Sequence, residues 1–128
     1  MRAQYHLRNS EHGLLAWDVR KLIRLTEGLL VFELRLEDIR ELDECFWFDA
    51  EGDRPTCRKI AEHAKLMMET DLSYPIILDA EGRVMDGMHR VCKALLEGRS
   101  SVRAVRLERL PEPDFVGVAA GDLPYKDR

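Results

Sequence analysis

One stretch of the sequence, residues 74–109, constrains the fold more than any other. It contains an apolar run at 75–78, a turn-rich segment at 79–82 and a second short run at 83–85, which together predict a β-hairpin. Apolar residues then recur at helical spacing from Val91 to Gly98, and residues 101–107 alternate as a half-buried strand does. We therefore expect the chain to pass from a strand into a helix within residues 86–90.

The residues at this junction are Asp86, Gly87, Met88, His89 and Arg90, which we name the DGMHR turn. Gly87 gives the backbone the freedom that a sharp turn requires. The first N–H groups of the following helix have no partner inside it and favour an anion in front of them. Residues 86–109 also carry six basic and three acidic side chains, a net charge of +3 within a chain of net charge −4. This pattern favours a phosphate-bearing small molecule over a long polyanion.

Composition and length predict one globular domain that does not enter a membrane. The chain has 128 residues, of which 45% are hydrophobic and 34% charged, and no apolar run approaches the ~20 residues that span a bilayer. The N-terminal residues lack the apolar core of a signal peptide, so we expect a cytoplasmic protein. The three cysteines contain no Cys-x-x-Cys pair, so neither a disulfide framework nor a zinc site is expected.

The segments before the hairpin predict an alternation of helices and strands. Asn9 or Ser10 is expected to cap an N-terminal helix that ends at Gly28 and packs against the domain or a dimer partner. A strand is expected in the second half of residues 29–36, one or two helical turns at 37–42, and a helix capped by Thr56 that runs to about Thr70. His63 is interpreted as an ordinary residue of that helix.

The predicted fold class is α/β (α+β), with helices packed on a small mixed β-sheet. Within one domain, residues 1–28 form an N-terminal helical extension and residues 29–110 the core. Residues 111–128, which hold three of the five prolines, are expected to lie extended over the surface or to be partly disordered. The aromatic segment 45–48 is interpreted as core, with a base-stacking platform as the alternative.

The order of these elements resembles the ParB/sulfiredoxin superfamily over about half of the chain. The resemblance lies in the Pro75-Ile76 strand, the turn at Gly82, the Asp-Gly-x-His-Arg motif of the DGMHR turn, the helix ending in Glu97-Gly98 and the final Val-rich strand. It implies a fold of that type and a turn that holds the phosphates of ATP, ADP or CTP, with Mg2+ accompanying the nucleotide. The implied nucleotide-binding residues are Asp86, Gly87, Met88, His89 and Arg90.

Departures from the family patterns narrow the expected activity. Sulfiredoxins carry a catalytic cysteine where this chain has Met88, and a thioether cannot act as the thiolate nucleophile, so we do not expect sulfiredoxin activity. We also expect none of the long DNA-binding and dimerisation regions of the chromosome-segregation members. The pattern of the free-serine kinase members, Asp-Gly-His-His-Arg, differs from the DGMHR turn by one residue.

Each candidate side chain has a functional and a structural interpretation. Arg90 either grips phosphate oxygens or forms a salt bridge with Asp86. His89 either donates to a phosphate, orients a reacting hydroxyl, or only starts the helix. Asp86 either accepts a hydroxyl proton, holds Mg2+ indirectly or caps the helix. Met88 is expected at the lip of the pocket.

The resemblance also implies a carboxylate base from the segment after the first core strand. Glu41, Asp43 and Glu44 lie in this segment, and Glu44, beside the aromatic residues, is the first choice as the catalytic base together with Asp86 and His89. The alternative is a solvated acidic loop.

The leading functional hypothesis is a nucleotide-binding protein that acts as a phosphotransferase on a small hydroxylated substrate. The alternative is a non-catalytic regulatory or partner-binding module, in which a nucleotide acts as a switch or the pocket has lost it. Homodimerisation through the N-terminal helix is a separate expectation. DNA-associated or nuclease-like activity is the weakest hypothesis, because the net charge of −4 opposes contact with nucleic acid.

Overall fold

Two β-sheets and three α-helices form the molecule in a computed structural model that describes residues 4–49 and 52–125. The parts of the predicted extension, turn and tail that fall on residues 1–3, 50–51 and 126–128 lie outside the described residues. The strands are β1 Tyr5–Arg8, β2 Leu15–Asp18, β3 Phe32–Arg35, β4 Ile76–Leu78, β5 Val84–Asp86, β6 Ser101–Arg106 and β7 Phe115–Val116. The helices are α1 Val19–Leu25, α2 Cys57–Glu69 and α3 Met88–Leu96.

The larger sheet is mixed, as predicted, and has the strand order β3-β6-β4-β5. β6 pairs antiparallel with β3 and parallel with β4, and β4 pairs antiparallel with β5 to close the predicted hairpin. Two 3₁₀ turns, Leu36–Asp38 and Arg40–Asp43, follow β3, where one or two helical turns were expected. The α+β class is confirmed by this arrangement.

Both faces of the larger sheet are buried, and successive strand residues serve opposite faces. Ile76, Leu78 and Val84 pack with Val91 of α3 and with residues of the 3₁₀ turns. On the other face, residues of β4, β5 and β6 pack with Trp17 and with Leu22 of α1. The sheet therefore holds α3 on one side and the N-terminal segment on the other.

The predicted N-terminal helix from residue 10 to 27 is wrong over its first half. Residues 5–18 instead form the antiparallel pair β1–β2, and α1 begins only at Val19. Gly13 has a φ of 94° in the connecting turn, and Asp18 caps α1 by accepting from the N–H of Arg20 at 3.0 Å. Of the apolar residues that suggested a helical face, Leu15 lies in β2, whereas Val19, Leu22 and Ile23 do lie in the helix α1.

The tail joins this smaller sheet. β7 pairs antiparallel with β2, and the carboxylate of Asp114 accepts the backbone N–H of Asp18 at 2.7 Å. The indole N–H of Trp17 donates to the carbonyl of Pro111 at 2.8 Å. Residues 111–116 are thus fixed to the N-terminal hairpin by hydrogen bonds, which the expectation of an extended or partly disordered tail did not include.

Candidate functional site

The DGMHR turn joins β5 directly to α3, as the sequence predicts. Gly87 is the N-cap of α3, has a φ of 106° and provides no side-chain cap. A Cβ at this position would lie 2.6 Å from Cγ2 of Ile76, so close packing as well as the positive φ requires glycine. The backbone N–H of Arg90 donates to the carbonyl of Gly87 at 2.9 Å, whereas those of Met88 and His89 have no capping partner among the described residues.

Asp86 and Arg90 are joined by a salt bridge within this turn. Nη2 of Arg90 donates to Oδ2 of Asp86 at 3.0 Å and to the carbonyl of Pro75 at 3.3 Å. The salt bridge is the structural interpretation that the sequence left open for Arg90, and the alternative of Asp86 as the helix cap is wrong because Gly87 holds that position. Nε of Arg90 is enclosed without a partner among the described residues. Its role as a phosphate ligand stays a prediction.

A cavity of about 830 Å³ lies in front of the turn. Its walls include residues 83–89, Glu41, residues 44–47 and residues 4–9. Asp86, Gly87, Met88, His89 and Glu44 therefore meet at one cavity, whereas Arg90 is not part of its wall. Met88 also packs into the core, so its side chain does more than edge the pocket.

The charged side chains of this cavity are mainly acidic. Among the described residues, five carboxylates line it, against two guanidinium groups: Glu41, Glu44, Asp49, Asp53 and Asp86, with Arg8 and Arg83. Both arginines already have carboxylate partners, since Arg8 lies 3.0 Å from Asp79 and Arg83 lies 2.6 Å from Glu44. An anion in this cavity would accordingly gain more from a bound divalent cation than from the side chains alone.

Glu44 lines the same cavity as the turn, in a bidentate pair with Arg83. Its two carboxylate oxygens accept from Nη1 and Nη2 of Arg83 at 2.9 and 2.6 Å. These hydrogen bonds lower the pKa of Glu44 below its ordinary value. Both features weaken Glu44 as a proton acceptor, and its role as the base stays a prediction.

Glu41 is the most deeply buried carboxylate of the cavity wall, with 2% of its surface exposed. Its Oε2 accepts the backbone N–H of Val84 at 2.7 Å and lies 3.4 Å from Nε of Arg83. The first hydrogen bond ties the 3₁₀ turn after β3 to β5, just before the DGMHR turn. The sequence placed Glu41 among three acidic candidates but contained no sign that it is buried.

His89 stands at the edge of the cavity in an aromatic cluster with His63 and Trp47. Nδ1 of His63 and Nε2 of His89 are 2.8 Å apart, and both imidazoles stack on the indole of Trp47 at centroid distances of 4.2 and 4.6 Å. Burial lowers the pKa of His89 to about 4, and burial also lowers that of His63. His63 is therefore more than an ordinary helix residue, although its sequence context gave no signal.

The aromatic segment 45–48 is partly buried and not a free stacking surface. Phe46 and Trp47 pack against the core, as interpreted from the sequence, and Trp47 is stacked on the two histidines. Phe46 lies parallel to His6 with a centroid distance of 6.5 Å. Nε2 of His6 accepts from Nε of Arg8 at 2.9 Å, and burial lowers the pKa of His6 to about 4.

Cys92 follows the turn on α3 and packs, half-buried, against the core, as expected for a small structural residue. Burial raises the pKa of its thiol, which disfavours the reactive thiolate. Among the described residues, no group of three or more His, Cys, Asp or Glu side chains is arranged to hold a metal ion. No helix within residues 4–49 and 52–125 is long and apolar enough to cross a membrane.

No protein-family model, curated protein or solved structure matches this chain. The superfamily resemblance accordingly stays a prediction that depends on the residues of the hairpin, the DGMHR turn and α3.

Proposed function

We propose that the cavity binds a nucleotide with its phosphates at the first turn of α3 and Mg2+ bound to the phosphates. The observation that carries the proposal is the uncapped N-terminus of α3, which opens on a cavity of about 830 Å³. This volume falls within the ordinary range for small-molecule sites, roughly 300–1,000 Å³. ATP, ADP and CTP are the candidate nucleotides, and the cytoplasm is the expected location.

The charge of the cavity supports Mg2+ as part of the ligand. A free nucleoside triphosphate would meet five carboxylates and two arginines that already have partners. Mg2+ neutralises much of the phosphate charge and is held in proteins by one or two carboxylates together with water and phosphate oxygens. Asp49 and Asp53 lie in the wall and provide such carboxylates.

In this proposal the residues of the turn have different tasks. The backbone N–H groups of Met88 and His89 donate to phosphate oxygens, and Gly87 lets the phosphates approach. Arg90 and Asp86 hold the turn in shape through their salt bridge. We propose transfer of a phosphoryl group to a small hydroxylated substrate as the reaction, and the histidine and carboxylates in the wall of the cavity support this proposal.

Calorimetric titration with ATP, ADP and CTP, with and without Mg2+, tests the binding. Wild type should bind the Mg2+ complex more tightly than the free nucleotide, and the Asp49→Asn/Asp53→Asn variant should reduce that preference. The matched control is Glu108→Gln/Glu112→Gln, which removes two exposed carboxylates outside the cavity. Folded wild-type protein that binds no nucleotide would refute the proposal.

Release of ADP from Mg-ATP in the presence of a small hydroxylated acceptor separates a phosphotransferase from a regulatory module. A transferase should release ADP only when an acceptor is added. A module that binds nucleotide as a switch should bind without such release.

Partner binding is the second candidate function, and exposed apolar residues of α1 favour it. Ile23 and Leu25 are 48% and 53% exposed, although their helix packs on the core through Leu22. A second copy of the chain is the partner that we expected from the sequence. Light scattering of wild type and Ile23→Glu/Leu25→Glu tests this: a wild-type dimer that the variant converts to monomer supports it, and a wild-type monomer refutes it.

A further inference from the structure

His63 and His89 form a planar pair that joins α2 to α3 over the face of Trp47. Their ring planes differ by 23°, and each lies within 20° of the plane of the indole. The contact between them is a single N···N distance of 2.8 Å, from Nδ1 of His63 to Nε2 of His89. Such a distance between two imidazoles is a hydrogen bond, so one nitrogen donates and the other accepts.

Because the hydrogen bond joins Nδ1 of His63 to Nε2 of His89, its direction determines the tautomer of both rings. A neutral histidine in water holds its proton mainly on Nε2. If Nε2 of His89 donates to Nδ1 of His63, both rings keep this preferred tautomer. The reverse arrangement would require the less favourable tautomer in both rings at once. The first arrangement is therefore favoured, and burial keeps both rings neutral because it lowers the pKa of each.

The other ring nitrogen of His89 is then an unprotonated acceptor. Among the described residues, only Nε of Arg90 is a fully enclosed side-chain nitrogen or oxygen without a partner. Nδ1 of His89 has no partner among the described residues either, it is not one of these enclosed atoms, and His89 lines the cavity. A hydroxyl group of a ligand has the donor that this nitrogen requires, whereas a phosphate oxygen does not.

We propose that His63 is a positioning residue that fixes His89 as a donor through Nε2 and leaves Nδ1 of His89 to accept a hydrogen bond from a ligand in the cavity. The role of Nδ1 toward a ligand deepens the proposed function and depends on it, but the tautomer of His89 does not. An unprotonated Nδ1 favours the interpretation in which His89 orients a hydroxyl group over the one in which it donates to a phosphate. It also provides a hydrogen-bond acceptor beside the turn, whereas the carboxylate of Glu44 is already occupied by Arg83.

Nitrogen-15 NMR of the full chain without ligand, at pH 7, tests the tautomer directly. Wild type should show Nε2 of His89 protonated, Nδ1 unprotonated, and a scalar coupling across the hydrogen bond to Nδ1 of His63. His63→Phe keeps a ring on Trp47 but removes the acceptor, so the coupling should vanish and His89 should show averaged tautomers. The internal reference is His12, whose side chain is 77% exposed.

Several results would overturn the proposal. One is a wild-type His89 that carries its proton on Nδ1, and another is a His63→Phe variant with the same tautomer pattern as wild type. The wild-type coupling decides the question by itself if the variant does not fold. A wild-type spectrum without the coupling would count against the pair.

Addition of Mg-ADP to the labelled protein separates this proposal from the proposed function. If calorimetry shows binding, a ribose hydroxyl of the nucleotide should donate to Nδ1 of His89 and move its signal while the coupling to His63 persists. Binding without any change at Nδ1 would overturn the role of His89 toward the ligand. Absence of Mg-ADP, ATP and CTP binding would refute the proposed function and leave the tautomer result to stand or fall alone.

Discussion

The two walls of the cavity are built in different ways. The wall that contains the DGMHR turn is local, because Gly87, Asp86 and Arg90 contact each other within one turn of chain. The rest of the wall, which we name the distant wall, is assembled from distant segments that include residues 4–9, Glu41 and residues 44–47. Glu44 reaches Arg83, 39 residues away, and Arg8, also in that wall, is held by Asp79, 71 residues away.

This difference teaches that the geometry of the turn and the charge around it have separate origins. The local wall sets the position of the helix N–H groups, and its residues have little freedom to change. In the proposed function, the distant wall sets which ions and hydroxyl groups are tolerated, through side chains that only the complete fold brings together. Substitution of Gly87 should therefore act mainly on stability, and substitutions of the charged residues in the distant wall should also act on ligand choice.

The largest expected effect is that of Gly87→Ala in the local wall. The added Cβ would sit 2.6 Å from Ile76 at a φ of 106°, so strain and overpacking should together lower the free energy of unfolding by about 3 kcal/mol. Gly98→Ala is the matched control, since its φ is 74° and its Cβ would meet nothing within 4 Å, so about 1 kcal/mol is expected. Urea denaturation measures both, and equal losses would contradict the account of the turn.

In the distant wall, His6 should make stability depend on pH. The folded protein lowers the pKa of His6 from 6.5 to about 4, so the unfolded chain binds more protons between these values. The free energy of unfolding should fall as the pH is lowered through this range, by up to about 3 kcal/mol from His6. His6→Phe should reduce the slope of the profile measured by denaturation at a series of pH values, leaving the contribution of His89, whose pKa burial also lowers to about 4, and an unchanged profile would contradict the assignment.

Glu41 tests the hydrogen bond that joins the distant wall to β5. Glu41→Leu leaves the buried N–H of Val84 without its acceptor, which should cost about 2 kcal/mol. Glu41→Gln keeps an oxygen at the same place and should cost less. Thermal or urea unfolding compares the two, and a Gln variant as unstable as the Leu variant would show that the charge, not the hydrogen bond, matters.

The smallest effect on stability is expected for Glu44→Gln. The pair with Arg83 is solvent-exposed, and exposed pairs contribute little to the free energy of unfolding. The denaturation midpoint should therefore stay close to that of wild type, while any preference of the cavity for Mg-nucleotide changes. A clear drop in the midpoint would show that the pair of Glu44 and Arg83 contributes substantially to the free energy of unfolding.

The part of the fold that could be predicted is the part with local causes. The hairpin, α3 and β6 follow from apolar periodicity, and Thr56 occupies the cap position that its residue type suggests, whereas Gly87 caps α3 in place of Asp86. The cap of α2 is made by the hydroxyl of Thr56, which accepts from the N–H of Lys59 at 3.3 Å.

The N-terminal segment was mispredicted because its pattern fits two structures. Leu14, Leu15 and Trp17 suit one face of a helix, but β2 gains its partners from β1 and from Phe115 of β7, about a hundred residues later. The contacts of the candidate site could not be predicted for a similar reason. No local spacing joins His63 to His89 or Glu44 to Arg83, since these contacts exist only after α2 and the 3₁₀ turns pack beside the sheet.

The most direct test of the central claim follows the backbone amides of the first turn of α3 while Mg-ATP, Mg-ADP or Mg-CTP is added. The amide signals of Met88 and His89 should shift most. Those of Arg58 and Lys59 at the start of α2 should not, because Thr56 caps that helix. Nucleotide binding at the DGMHR turn would be contradicted by shifts confined to α2 or to a separate pocket lined by Lys93 and Arg103. It would also be contradicted if no amide signal shifted.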